Sequence, residues 1–90
     1  MLESTVKIIN ALGLHARAAA QLVRLAGKFK SSIKLERLDN FVMADAKSIL
    51  SVLTLAAARG TELKLTIEGA DEIEAENSVT DLIKNGFGEI

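Results

Sequence analysis

The sequence predicts an α+β fold: a two-layer, open-faced sandwich of order β-α-β-β-α-β-α, with a four-stranded antiparallel sheet carrying three helices on one face. Three observations lead there. The strand-like segments alternate apolar and polar residues, so each offers one face to a core and one to water. Between them, apolar residues recur every three or four positions, as on amphipathic helices. The two kinds of segment interleave along the chain in a single order, which suits helices layered on one side of a sheet.

Ser4 to Asn10 is rich in β-branched residues, with Val6 and Ile8 on one side of Lys7, and reads as the first strand. Gly13 breaks it. From Ala16 to about Lys28 the chain favours helix, with Ala19, Leu22, Val23, Ala26 and Phe29 inward and Arg17, Gln21, Arg24 and Lys28 as a mostly basic outer stripe. Ser32 to Leu38 alternates, turning Ile33 and Leu35 one way and Lys34 and Glu36 the other. Asp39-Asn40 is turn chemistry, and Phe41 to Ala44 returns as a short partner strand. Lys47 to Arg59 is helical by pattern, with Val52, Leu55 and Ala56 inward and Gly60 as its stop. Glu62 to Glu68 alternates without a fault and turns Leu63, Leu65 and Ile67 inward. Asp71 caps the last helix, with Glu74 three residues on completing a capping box. Ile73, Val79, Leu82 and Ile83 form the buried face of that helix, and Gly86 and Gly88 end it.

Composition sets the bounds. Ninety residues at 49% hydrophobic content suit one domain, residues 1–90, with one modest core. The absence of cysteine excludes disulfides, thiolate chemistry and thiolate metal sites, and no metal site or cofactor is expected. No apolar stretch approaches the roughly 18 residues of a membrane span, and the first residues lack the order of a signal peptide. The expectation is a cytoplasmic protein with no membrane insertion. A formal net charge of −1 and only three aromatic residues, all phenylalanine, argue against a nucleic-acid partner.

The single histidine, His15, falls where the Gly13 turn gives way to helix formers, and Arg17 follows two positions later. The first amides of a helix lack internal partners, and the peptide dipoles add a partial positive charge there. A phosphoryl group on His15 would lie over the backbone N–H groups of Ala16 and Arg17. The Arg17 side chain would add a charge-assisted contact of about 1.5–3 kcal/mol. Gly13 permits a tight loop that leaves the ring exposed. No orienting carboxylate is obvious near His15 in the sequence, which suits a phosphoryl acceptor better than an independent hydrolase.

Gly13-Leu14-His15-Ala16-Arg17, followed by Ala19-Ala20, resembles the active-site signature of the HPr family, the histidine-containing phosphocarriers of the phosphoenolpyruvate-dependent sugar phosphotransferase system. Lys47-Ser48-Ile49-Leu50 is similar to the family's segment at the start of its second helix, and Gly69-Ala70-Asp71-Glu72 to the start of its last. The resemblance covers essentially the whole chain. It implies that His15 takes a phosphoryl group at Nδ1 from phosphorylated enzyme I and passes it to sugar-specific IIA domains, with Arg17 steadying the phosphate. It also implies a docking surface made by Ala16, Ala20, Gln21, Arg24, Ile49, Leu50, Ser51, Leu53 and Thr54. Ser48 matches a serine that a dedicated HPr kinase/phosphorylase modifies in part of the family, and it is also placed to cap its helix.

The chain departs from the usual pattern at four places. Ala18 stands where the family has proline, leaving the first turn of the helix freer. Leu12 replaces a small polar residue, and Ala56 replaces a frequent glycine, which extends the second helix toward Arg59. The stretch between Leu38 and Lys47 is about two residues longer than in common members. The expected activity is that of a monomeric phosphoryl carrier and not of an enzyme. The alternatives are a carrier of the nitrogen-related or another regulatory branch, or a protein-binding regulator that transfers nothing.

Overall fold

The computed structural model describes residues 1–89. Its elements run β1 (Leu2–Lys7), α1 (Ala16–Ala26), β2 (Ser32–Arg37), β3 (Met43–Asp45), α2 (Ile49–Thr54), β4 (Glu62–Glu68) and α3 (Glu72–Lys84), closed by a 3-10 turn over Gly86–Gly88. The four strands form one sheet in the order β1-β4-β2-β3, and every pairing is antiparallel. The expected sandwich is what forms.

The sheet's apolar face comes from its register. Leu63 pairs with Val6, and Leu65 and Ile67 of β4 pair with Leu35 and Ile33 of β2. These six side chains are buried on one face and meet Ala18, Ala19, Leu22 and Ala26 of α1, Val52 of α2, and Ala75, Val79 and Ile83 of α3. At about 25 cal/mol per Å² of apolar surface removed from water, this shared core holds the layers together.

Three local expectations change before the last helix. β1 ends at Lys7, although Ile8 stays in the ladder direction through its bonds to Thr61 and Gly60, and Asn10 leaves the strand to enter the functional site. The turn between β2 and β3 takes up Phe41 and Val42, because the Phe41 and Arg37 amides close it onto the Arg37 and Val42 carbonyls, so the return strand is Met43–Asp45. Helix α2 stops at Thr54 instead of running to Arg59. Ala56 lies exposed at φ 49°, the left-handed conformation the family's glycine would favour. The next carbonyl, that of Ala57, accepts the Leu14 amide at 2.8 Å, and this tertiary bond takes the segment that helix continuation would need.

The last helix also differs at its start. The Asp71 side chain makes no capping bond; it reaches across to accept from the Lys30 amide at 2.8 Å, the Ser31 amide at 2.9 Å, and the Ser31 hydroxyl. Three donors from one loop outcompete a single amide of its own helix. Ile73 is 67% exposed and not part of the buried face, which is built from Ala75, Val79 and Ile83 at four-residue spacing.

Candidate functional site

The site is assembled around the start of α1. His15 is the N-cap, in extended backbone conformation, and its carbonyl accepts the first helical bond from Ala19 at 2.8 Å. The loop before it is pressed against the segment after α2. Gly13 sits at φ 67°, and a Cβ there would lie 2.7 Å from the Ala57 carbonyl oxygen and 2.9 Å from the Ala58 Cα. Only glycine allows both the left-handed turn and that approach. Leu14 then turns its side chain into the core, which leaves His15 at the surface.

The imidazole is held on two sides. Its Nδ1 accepts from the Arg17 backbone N–H at 3.3 Å. Its Nε2 faces the Glu89 carboxylate within hydrogen-bond reach. The second Glu89 oxygen accepts from the Asn10 amide at 2.8 Å, and the same Asn10 nitrogen bonds the Gly13 carbonyl at 2.8 Å. Asn10 is fully buried, and both neighbours of its nitrogen are acceptors, so the amide orientation is fixed.

This corrects two expectations. An orienting carboxylate does contact His15, and it comes from 74 positions away. The ring is also only about one-quarter exposed, because the chain end that carries Glu89 covers its Nε2 edge. That placement depends on Phe87, a buried residue held at φ 57° between Gly86 and Gly88, which turns the chain back after α3. The sequence signal was the Gly86-Phe87-Gly88 run, whose aromatic residue marks an anchored turn and not a frayed end.

The Glu89 carboxyl is held below the usual carboxylate range, first by the Asn10 amide, against partial burial, and then by the His15 ring and the positive charge of Arg17. The Arg17 side chain is exposed. Ala18 is fully buried beneath the site. Leu12 is exposed beside it. The amides of Ala16 and Arg17 belong to the first turn, ahead of the first helical bond.

Ser48 is the N-cap of α2, with its hydroxyl accepting from the Ser51 amide at 3.3 Å. Helices α1 and α2, which carry or flank the remaining singled-out residues, pack against each other. Leu50 is 75% and Ile49 40% exposed, and Leu53, Ala16, Arg24 and Thr54 are exposed as well. Ala20, Gln21 and Ser51 are half-buried. Among the described residues there is no cluster of side chains able to hold a metal ion, and no helix is long and apolar enough to cross a membrane.

Comparison with known proteins agrees in sequence and in fold. A family model described as the PTS HPr component phosphorylation site matches residues 2–85. The chain is similar to the phosphocarrier protein HPr of Cupriavidus necator, at 49% identity over 99% of this chain and 98% of that protein. It is 46% identical to the HPr of Neisseria meningitidis serogroup A over the same shares. In three dimensions it resembles a crystal structure of HPr from Thermoanaerobacter tengcongensis, with a TM-score of 0.92, 43% identity, and coverage of 100% of this chain and 99% of that one. With a histidine capping a helix in a matching fold and near-complete alignment to these relatives, the chain belongs to the HPr family of phosphocarrier proteins of the phosphotransferase system.

Proposed function

We propose that His15 is the phosphoryl-bearing residue of this carrier, loaded by phosphorylated enzyme I and unloaded by IIA domains that serve sugar uptake in the cytoplasm. The observation that carries this reading is the direction of Nδ1, which faces the Arg17 amide in the first turn of α1. A phosphoryl group on that nitrogen meets the backbone donors of the first turn, with the Arg17 N–H released from Nδ1 as the lone pair is used, and the positive end of the helix.

In the loading step the Nδ1 lone pair forms a bond to phosphorus while the donor's own bond to phosphorus breaks and its electron pair returns to the donor. Unloading reverses this toward the acceptor. The amides of Ala16 and Arg17 hold the equatorial oxygens, and the Arg17 guanidinium follows the charge. The surface of α1 and α2, with Ile49, Leu50 and Leu53 exposed beside Ala20, Gln21 and Arg24, supports docking of each partner in turn. Both partners need the same face, and a monomer leaves it open. Ser48 lies at the edge of that face, and a phosphate there, added by an HPr kinase/phosphorylase, would place a dianion beside Ile49 and Leu50 and weaken docking.

The test is phosphorylation in vitro with phosphoenolpyruvate, magnesium and enzyme I, read by intact mass. One acid-labile, base-stable phosphoryl group is expected on the wild type and none on His15→Ala. Arg17→Glu should load at least about tenfold more slowly, given the loss of a charge-assisted contact, with an unchanged circular dichroism spectrum. Uptake by His15→Ala equal to wild type would overturn the proposal.

A further inference from the structure

We propose that Glu89 is a positioning residue for His15, keeping the ring proton on Nε2 so that the lone pair stays on Nδ1 and faces the α1 amides. The role in transfer rests on His15 being the phosphoryl-bearing residue; the proton's location does not.

The hydrogen-bond partners on the two ring edges point to one arrangement. Nδ1 faces a donor, the Arg17 N–H, and Nε2 faces an acceptor, the Glu89 carboxylate. A proton on Nδ1 would set donor against donor on one edge and leave a lone pair against a carboxylate on the other. The hydrogen bond made by one ring nitrogen decides what the other presents. Glu89 is itself held in place. The buried Asn10 nitrogen bonds Glu89 and the Gly13 carbonyl together, so it ties the chain end to the loop that presents the ring. Phe87, buried two residues before Glu89, anchors the turn from the other side.

This arrangement acts during transfer. As the Nδ1 lone pair moves to phosphorus, the ring gains positive charge, which is shared with the Nε2–H group. The carboxylate beside it stabilises that charge. When the phosphoryl group leaves, the N–P electron pair returns to Nδ1, and the proton has remained on Nε2 throughout. No proton has to be taken up or released by solvent in either direction.

The test uses the ring nitrogens of the full chain, read by 15N nuclear magnetic resonance at a pH where the ring is neutral, together with the rate of phosphoryl uptake from phospho-enzyme I. In the wild type the Nε2 resonance should be of the protonated type and Nδ1 of the unprotonated type. Glu89→Ala should average the two toward each other and slow uptake about ten- to a hundredfold, by analogy with the loss of a carboxylate that orients a metal-bound histidine. Glu89→Gln retains an oxygen acceptor for Nε2–H and should restore the wild-type ring pattern, with a smaller loss of rate. A Glu89→Ala variant with an unchanged ring spectrum, or with wild-type uptake, would overturn the proposal. Failure of the wild type to take up phosphate would sink the carrier reading instead, and the ring spectra of the unphosphorylated chain would still decide where the proton sits.

Discussion

The starts of α1 and α2 follow one local rule and are held in two different ways. Both have an extended N-cap residue, His15 or Ser48, whose side chain accepts a backbone amide of its own first turn at 3.3 Å. The side chains next to the Ser48 cap are also joined at short range, the Ser51 hydroxyl accepting the Asp45 amide at 2.9 Å and the Asp45 carboxylate the Lys47 amide at 2.9 Å, while the Lys47 ammonium reaches the Phe29 carbonyl at 2.8 Å without touching the Ser48 side chain. Around His15 the second ring edge, the loop before it and the asparagine behind it are all tied to distant chain, at Glu89 and at Ala57 and Ala58. A local cap decides where a helix begins. Long-range contacts decide how the capping side chain is aimed.

That contrast can be broken most strongly at Gly13. Gly13→Ala places a Cβ against the Ala57 and Ala58 backbone at a positive φ. The expected cost is about 2–3 kcal/mol, seen as a fall of roughly 10–20 °C in melting temperature, with slower phosphoryl uptake because the His15 loop must shift. A melt within two degrees or so of wild type would mean that the loop is not pinned by tertiary contact. Ser48→Ala should have a smaller effect, about 0.5–1 kcal/mol and roughly 3–6 °C, with uptake at His15 within about twofold of wild type. If uptake fell as far as stability allows for Gly13→Ala, the two helix starts would be coupled after all.

The smallest expected effect is confined to low pH and concerns the third helix start. Asp71 leaves its own helix uncapped to hold the Lys30–Ser31 loop, and the bonds from the Ser31 hydroxyl and the Lys30 amide bring its carboxyl down from 3.8 to about 2. A folded-state value below the unfolded one adds stability that is fully present above pH 3.8 and is lost as pH falls through about 2. Amide exchange at Lys30 and Ser31 should therefore rise over that window in the wild type, and Asp71→Asn should flatten the rise. Exchange that rises within the first turn of α3 instead would restore Asp71 to the capping role its sequence position suggests.

Much of the fold was legible because one face of every strand must be apolar. Glu62–Glu68 matches β4 residue for residue, since its alternation admits a single register. The helical pattern from Ala16 also located α1 and its buried Ala19, Leu22 and Ala26. Periodicity failed where a backbone bond to distant chain outweighed it. Ala56 continues a helical pattern, yet the Ala57 carbonyl is taken by Leu14, and the helix gives way to a left-handed residue. Ile73 fits an apolar stripe by spacing, but the α3 face that meets the sheet is set by Ala75, Val79 and Ile83.

The candidate site divides along the same line. A glycine, a histidine and an arginine at the start of an amphipathic helix determine, from sequence alone, that an imidazole stands at the positive end of that helix, because helix polarity is a local property of the backbone. Which group faces the far ring nitrogen was decided only by tertiary structure. Helix polarity supplies no partner for that edge, and Glu89 arrives there only when Phe87 is buried and Asn10 bridges the two ends of the fold.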